Sequence, residues 1–117
     1  MKKIYYLKTC DTCKRIMRSL SLDGFTIREI KTKPITVSEL EEMFQLSGSY
    51  ESLFSRRAKK YAAMGLKDQK LEEVDYKQLI LSDYTFLKRP VIISDTTIFI
   101  GSDKKNMQLL KEYFKTN

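Results

Sequence analysis

A chain of 117 residues and 13.8 kDa, 42% hydrophobic and 11% aromatic, suffices for one compact domain and is too short for two. Its apolar share is ordinary beside 32% charged residues, which excludes a wholly disordered chain, and no apolar run approaches the roughly 20 residues of a membrane helix. The N-terminus has no apolar stretch followed by small residues, so a soluble cytoplasmic protein without membrane contact is the expectation, and nothing demands more than a monomer.

Twenty-two Lys and Arg against 15 Asp and Glu leave a net charge of +7. The excess is scattered apart from Arg56, Arg57, Lys59 and Lys60. It suits a solvated basic surface first, with a nucleic acid, an acidic protein face or a small oxyanion as the functional alternatives, among which composition does not choose. The rarer residues discriminate better. There is no histidine, so every mechanism with a His base, nucleophile or ligand is excluded, and two cysteines alone cannot assemble a structural zinc site. What remains is thiol chemistry at Cys10-Asp11-Thr12-Cys13, a Cys-x-x-Cys of the kind that is redox-active more often than structural in a cytosolic chain.

In chain order, Lys3 to Leu7 is an apolar run of strand type, and a helix follows directly. Asp11 and Thr12 suit the helix's first turn, Ile16, Met17 and Leu20 give it an apolar face, and Asp23-Gly24 is the predicted stop. Phe25 to Ile30 alternates and reads as a second strand, which makes a βαβ opening with parallel strands. Lys33-Pro34 ends it. Thr36 or Ser38 caps a helix carrying Val37, Leu40, Met43 and Phe44, with Ser47-Gly48-Ser49 as its stop. From Tyr50 to Ser82 the pattern is helical but broken, with one piece over Leu53 to Met64, an interruption at Gly65 and another piece over Val74 to Leu81. Pro90 to Ile93 and Thr97 to Ile100 form a hairpin, and a last helix over Lys104 to Phe114 offers Met107, Leu110 and Phe114 to the core.

The order β-α-β, helices, β-β-α is that of a thioredoxin-like α/β fold with a four-stranded mixed sheet. It predicts a single domain over residues 1–117 with a helical insertion at about 36–83. In this arrangement the Cys-x-x-Cys falls at the first strand-to-helix turn, where helix N–H groups and the dipole favour an anion. Cys10 is therefore the expected nucleophile.

Four stretches, Cys10-Asp11-Thr12-Cys13-Lys14, Pro34-Ile35-Thr36-Val37-Ser38-Glu39-Leu40, Tyr61-Ala62-Ala63-Met64-Gly65-Leu66 and Lys88-Arg89-Pro90 followed by Val91-Ile92-Ile93, resemble the arsenate reductase (ArsC) and Spx family in the right order over nearly the whole chain. The resemblance implies that Cys10 is the reactive thiol and that Arg89 stands beside it. It also implies a cis Pro90 facing the thiol, and a thiolate- or oxyanion-stabilising role for Arg56 or Arg57. A cation near a thiolate favours the charged form, and Cys13, one helical turn from Cys10, offers an internal resolving thiol.

Two functions are compatible with that resemblance. In the first, Cys10 attacks a small oxyanion or an oxidised thiol and Cys13 resolves the adduct. No cofactor is bound, and the external reductant is glutathione with glutaredoxin, or thioredoxin. In the second, the protein resembles an Spx regulator of transcription that binds the C-terminal domain of the RNA polymerase α subunit and uses the cysteine pair as a redox switch, with Gly48 near the polymerase contact. One departure bears on both. Arsenate reductases of this type carry an oxyanion-binding arginine just past the final strand, whereas this chain has Gly101-Ser102 and no arginine after Arg89. Lys104 or Lys105 can supply a charge there but not a bidentate fork.

Overall fold

A computed structural model describes residues 1–115 of the chain. They divide into two compact units, one formed by residues 1–33 with 89–115 and the other by residues 34–88.

The first unit holds the sheet. Its strands are β1 (Lys2–Tyr6), β2 (Phe25–Glu29), β3 (Val91–Ser94) and β4 (Thr97–Ile100), in the order β2-β1-β3-β4. β1 runs parallel to β2, with Ile4 opposite Ile27, and antiparallel to β3, with Ile4 opposite Ile92. The β2–β1 pair needs a crossover, and α1 (Asp11–Arg18) supplies it. β3 and β4 need only a two-residue turn at Asp95-Thr96, where Asp95 takes φ 54° and its carboxylate meets the amino group of Met1. Both runs of this hairpin are rich in β-branched residues, and β3 is buried at all four positions.

One core cluster is formed by Ile4, Ile16, Ile92, Phe99 and Leu110, all at most 5% exposed. Ile16 comes from α1 and Leu110 from α5 (Lys104–Lys115), so both helices pack on the side of the sheet to which Ile4, Ile92 and Phe99 point. Phe25, Tyr113 and Phe114 extend it, with Phe99 and Tyr113 in an edge contact at 5.2 Å between ring centres. α1 is shorter than Asp23-Gly24 suggested. The Ser19 hydroxyl donates to the Ile16 carbonyl at 2.6 Å and its N–H to the same carbonyl at 3.0 Å, which ends the helix at Arg18 while leaving Leu20 on the core.

The second unit is helical. α2 (Val37–Ser47) begins with a full capping box: the Thr36 hydroxyl accepts from the Glu39 N–H at 3.1 Å, and the Glu39 carboxylate accepts from the Thr36 N–H at 2.9 Å. Thr36, not Ser38, is thus the cap. α2 ends at Gly48, whose φ of 79° suits a residue without Cβ. The helix expected over Leu53 to Met64 is largely absent. A 3₁₀ turn at Glu51–Leu53 leads into extended backbone at Phe54, which bridges Leu87, and the Ser55 N–H donates to the Phe86 carbonyl at 2.7 Å. Only α3 (Lys59–Ala63) is helical, followed by a 3₁₀ turn at Leu66–Asp68, α4 (Glu73–Ser82) and a 3₁₀ turn at Tyr84–Phe86. Phe54 is fully buried at the centre of this unit, stacked on Phe86 at 5.2 Å and tilted against Tyr76 at 5.0 Å. No helix among the described residues is long and apolar enough to cross a membrane.

Candidate functional site

The two cysteines sit where β1 turns into α1. Cys10 is the N-cap of α1, with extended backbone (φ −92°, ψ 107°), and its sulfur accepts the Cys13 N–H at 3.4 Å. A sulfur in the place of the usual Ser or Asp oxygen is thus aimed at the free donors of the first turn. Cys10 is partly exposed and Cys13 is buried, and the two are free thiols. Burial pushes the Cys13 thiol up to about 12. A hydrogen bond to Cys10 and the charge on Cys10 add to this, while a backbone hydrogen bond with Leu7 and the Arg89 charge pull the other way. Cys13 is therefore a neutral thiol at physiological pH, lying inward of an accessible Cys10.

Arg89 and Pro90 lead into β3, and the bond between them is cis. Arg89 is close enough to Cys13 for its charge to act on that thiol. Pro90 is buried, and its carbonyl accepts the Gly101 N–H at 2.9 Å, while the Gly101 carbonyl accepts from the Asn106 side chain at 2.7 Å. The start of β3, the end of β4 and the first turn of α5 are thereby tied together.

One contributor is not among the residues singled out from the sequence. Glu29, at the end of β2, accepts the Lys8 N–H at 2.9 Å, two residues before Cys10, and the Lys31 and Thr32 N–H groups at 2.9 and 2.7 Å. These donors, that of Lys8 foremost, hold its carboxyl down at about 2. Its signal in the sequence is weak, an acidic residue before Lys31-Thr32 at a strand end, and the Lys8 bond spans 21 residues.

Arg56 and Arg57 belong to the helical unit and differ sharply. The Arg56 guanidinium donates to Glu51 at 2.7 Å and to the Tyr76 hydroxyl at 3.0 Å, and lies over the Tyr76 ring at 5.7 Å. Glu51, first among these partners, raises its pKa. The Arg57 guanidinium has no such partner among the described residues; only its backbone N–H is engaged, by the Ser55 hydroxyl. Gly48 is exposed at the end of α2, and a Cβ there would meet nothing within 4 Å. No group of three potential metal ligands occurs among the described residues.

The sheet order, the crossover helix with a cysteine at its cap and the closing hairpin and helix define a thioredoxin-like α/β fold. The ArsC family model matches residues 5–110, and the chain belongs to that family. Its fold is shared by a protein of Bacteroides fragilis related to the ArsC family (22% identity, TM-score 0.77, 94% of this chain and 97% of that one). SACOL0876 from Staphylococcus aureus is similar at 27% identity, with a TM-score of 0.74 over 96% and 97% of the two chains. An arsenate reductase from Vibrio cholerae is similar at 18% identity and a TM-score of 0.72, over 94% of this chain and 95% of that one. No curated protein matches the chain.

Proposed function

We propose that this protein is a cytoplasmic thiol–disulfide redox enzyme in which Cys10 is the nucleophile and Cys13 the resolving thiol. The observation that carries the reading is the pairing of a partly exposed cysteine at the cap of α1 with a buried, neutral thiol one turn further on. The asymmetry orders the chemistry. Only Cys10 is accessible to substrate, and a thiolate at a helix N-terminus is the form its donors favour.

With arsenate as the oxyanion, the Cys10 sulfur bonds to arsenic and one arsenate oxygen leaves as water. Cys13 then loses its proton and attacks the Cys10 sulfur, breaking the sulfur–arsenic bond. The electron pair of that bond stays on arsenic, which departs reduced by two electrons as arsenite, and a Cys10–Cys13 disulfide remains. Glutathione with glutaredoxin, or thioredoxin, returns the disulfide to two thiols. With a sulfenic acid as substrate the Cys10 sulfur bonds to its sulfur and the hydroxyl leaves as water; with a disulfide one thiol leaves instead. In both cases attack of Cys13 on the Cys10 sulfur releases the remaining substrate thiol and forms the Cys10–Cys13 disulfide. Arg89 supplies positive charge at the thiols. Of the helical pair to which the resemblance gives the oxyanion-stabilising role, Arg57 is the candidate, because the fork of Arg56 is committed to Glu51 and Tyr76.

A second reading, an Spx-like regulator binding the RNA polymerase α subunit, is favoured by one specific feature. No arginine follows Arg89, so the bidentate oxyanion ligand past the last strand is missing, while Gly48 stays open to a partner. The deciding experiment is arsenate-dependent NADPH consumption with the glutathione/glutaredoxin and thioredoxin systems supplied separately. Turnover that is lost in Cys10→Ser, with a trapped Cys10 adduct in Cys13→Ser, is the expected result. A disulfide that forms reversibly without turnover sinks the enzyme reading and directs the next test to polymerase α.

A further inference from the structure

We infer that the outer face of α1 and α5 is a docking groove for an acidic amphipathic helix of a partner protein, a site independent of the redox reading. A cleft of about 610 Å³ lies between the two helices, lined by the cations Arg15, Lys104 and Lys111 and by one acid, Glu112. Each of the three is exposed, and none makes an ion pair among the described residues. Three cations against the single carboxylate of Glu112 leave the concavity net positive, and a low-dielectric wall concentrates that potential.

One of these charges, Lys104, stands in an unusual place. Asp103 caps α5, accepting the Asn106 N–H at 2.8 Å, yet the first turn that follows carries Lys104 and Lys105 and no acid. Cations in a first turn oppose the helix dipole. With Asp103 supplying the cap, Lys104 adds positive charge to this end of the cleft.

The other end is apolar. A second depression of about 360 Å³ shares Met107 and Lys111 with the first and continues along α1 and α5 over Ile16, Leu20, Leu110 and Phe114. The combined groove is cationic at one end and apolar at the other, where the core residues Ile16 and Leu110 form the floor and the half-buried Met107, Leu20 and Phe114 are the side chains a partner can reach. Its occupant must bring carboxylates to the first part and aliphatic or aromatic side chains to the second. An amphipathic helix laid between two helices does this with one face, using anchors at i, i+3, i+4 and i+7. A free small anion satisfies only the cationic end.

The probe is a fluorescein-labelled peptide of about 14 residues, four helical turns, with Leu at the anchor positions and Glu elsewhere, titrated by anisotropy into the full-length protein. Saturable binding is expected, weakened at least tenfold in Arg15→Glu/Lys104→Glu/Lys111→Glu. A matched reversal at exposed lysines of the helical unit, Lys59→Glu/Lys67→Glu/Lys70→Glu, should cost no more than about threefold by long-range charge alone. Replacing the peptide's Leu residues with Ser should weaken binding at least fivefold. In the unmutated protein the shifted amide signals should fall on α1 and α5, a readout that does not depend on any variant folding. Equal losses in the two reversals would reduce the effect to diffuse attraction and overturn the site. Equal binding of the Ser peptide, or displacement by millimolar inorganic phosphate with the same amide shifts, would make it a small-anion site. Absence of saturable binding would dispose of it altogether.

Discussion

The sheet unit and the helical unit are built on different principles. Within residues 1–33 and 89–115 the strands form one ladder in which β1 joins β2 and the distant β3, and the thiols, Arg89 and Pro90 sit near the ends of those strands. In residues 34–88 there is no sheet. Short helices and 3₁₀ turns converge on Phe54, and stability rests on ring packing and a few charged hydrogen bonds. A ladder fixes backbone positions to fractions of an ångström, which suits a site where two sulfurs must meet. An aromatic hub fixes a volume, around which irregular turns can vary.

The sharpest contrast lies within the sheet unit, between its two cysteines. Raising the Cys13 thiol from 9.0 to about 12 cuts its thiolate share at neutral pH about a thousandfold. Iodoacetamide at pH 7.5 should therefore label Cys10 alone in the folded protein, and both cysteines in urea. The sign also fixes a stability limb. A thiol that ionises less readily when folded contributes fully below about pH 9 and loses that contribution as the pH climbs towards 12. Equal labelling of the two cysteines under native conditions would remove the asymmetry on which the order of attack rests.

The helical unit is best broken at its hub. Phe54→Ala removes a fully buried ring that touches Phe86, Tyr76 and Tyr61, and should cost about 3–5 kcal/mol in a urea titration. A loss below about 1 kcal/mol would show that the unit does not depend on this cluster.

The same contrast governs what could be read in advance. The β1, β3 and β4 runs, the thiol turn and the α2 capping box are local patterns, and each is found where its residues placed it. Leu53, Phe54 and Ala58 are spaced as on a helix, but Phe54 is claimed by Leu87, 33 residues later, in a bridge that no local periodicity encodes. Arg56 is likewise committed by Tyr76, 20 residues on, and Glu29 by the N–H of Lys8. Residue types pointed to thiol chemistry at this turn; the side chains that hold the turn in place are defined only by contacts distant in sequence.

Glu29 and Asp83 test whether the two units fail together in acid. Both carboxyls are held at about 2, Glu29 by the Lys8 and Thr32 N–H groups and Asp83 by Lys60 and Thr85. Their stabilisation is complete above the ordinary carboxylate values of 4.5 and 3.8, and is lost as the pH falls through that range towards 2. Glu29→Gln should cost about 1–2 kcal/mol at pH 7 and flatten part of the acid limb. Because the bond to Lys8 steadies the approach to Cys10, this variant should also slow alkylation of Cys10 relative to a free thiol. Unchanged labelling with reduced stability would confine Glu29 to a structural role.

The smallest expected effect is at the α2 cap. Thr36→Ala removes one half of the reciprocal pair with Glu39 and should cost about 1 kcal/mol. Thr36→Ser keeps the oxygen and should restore most of it. The loss should fall on the helical unit alone: amide exchange should speed up in the first turn of α2, while the β1 and β3 amides keep their protection if the ladder is the independent framework the comparison describes. Accelerated exchange across both units at equal cost would mean that they open as one cooperative block, and that the division between ladder and hub is one of architecture and not of stability.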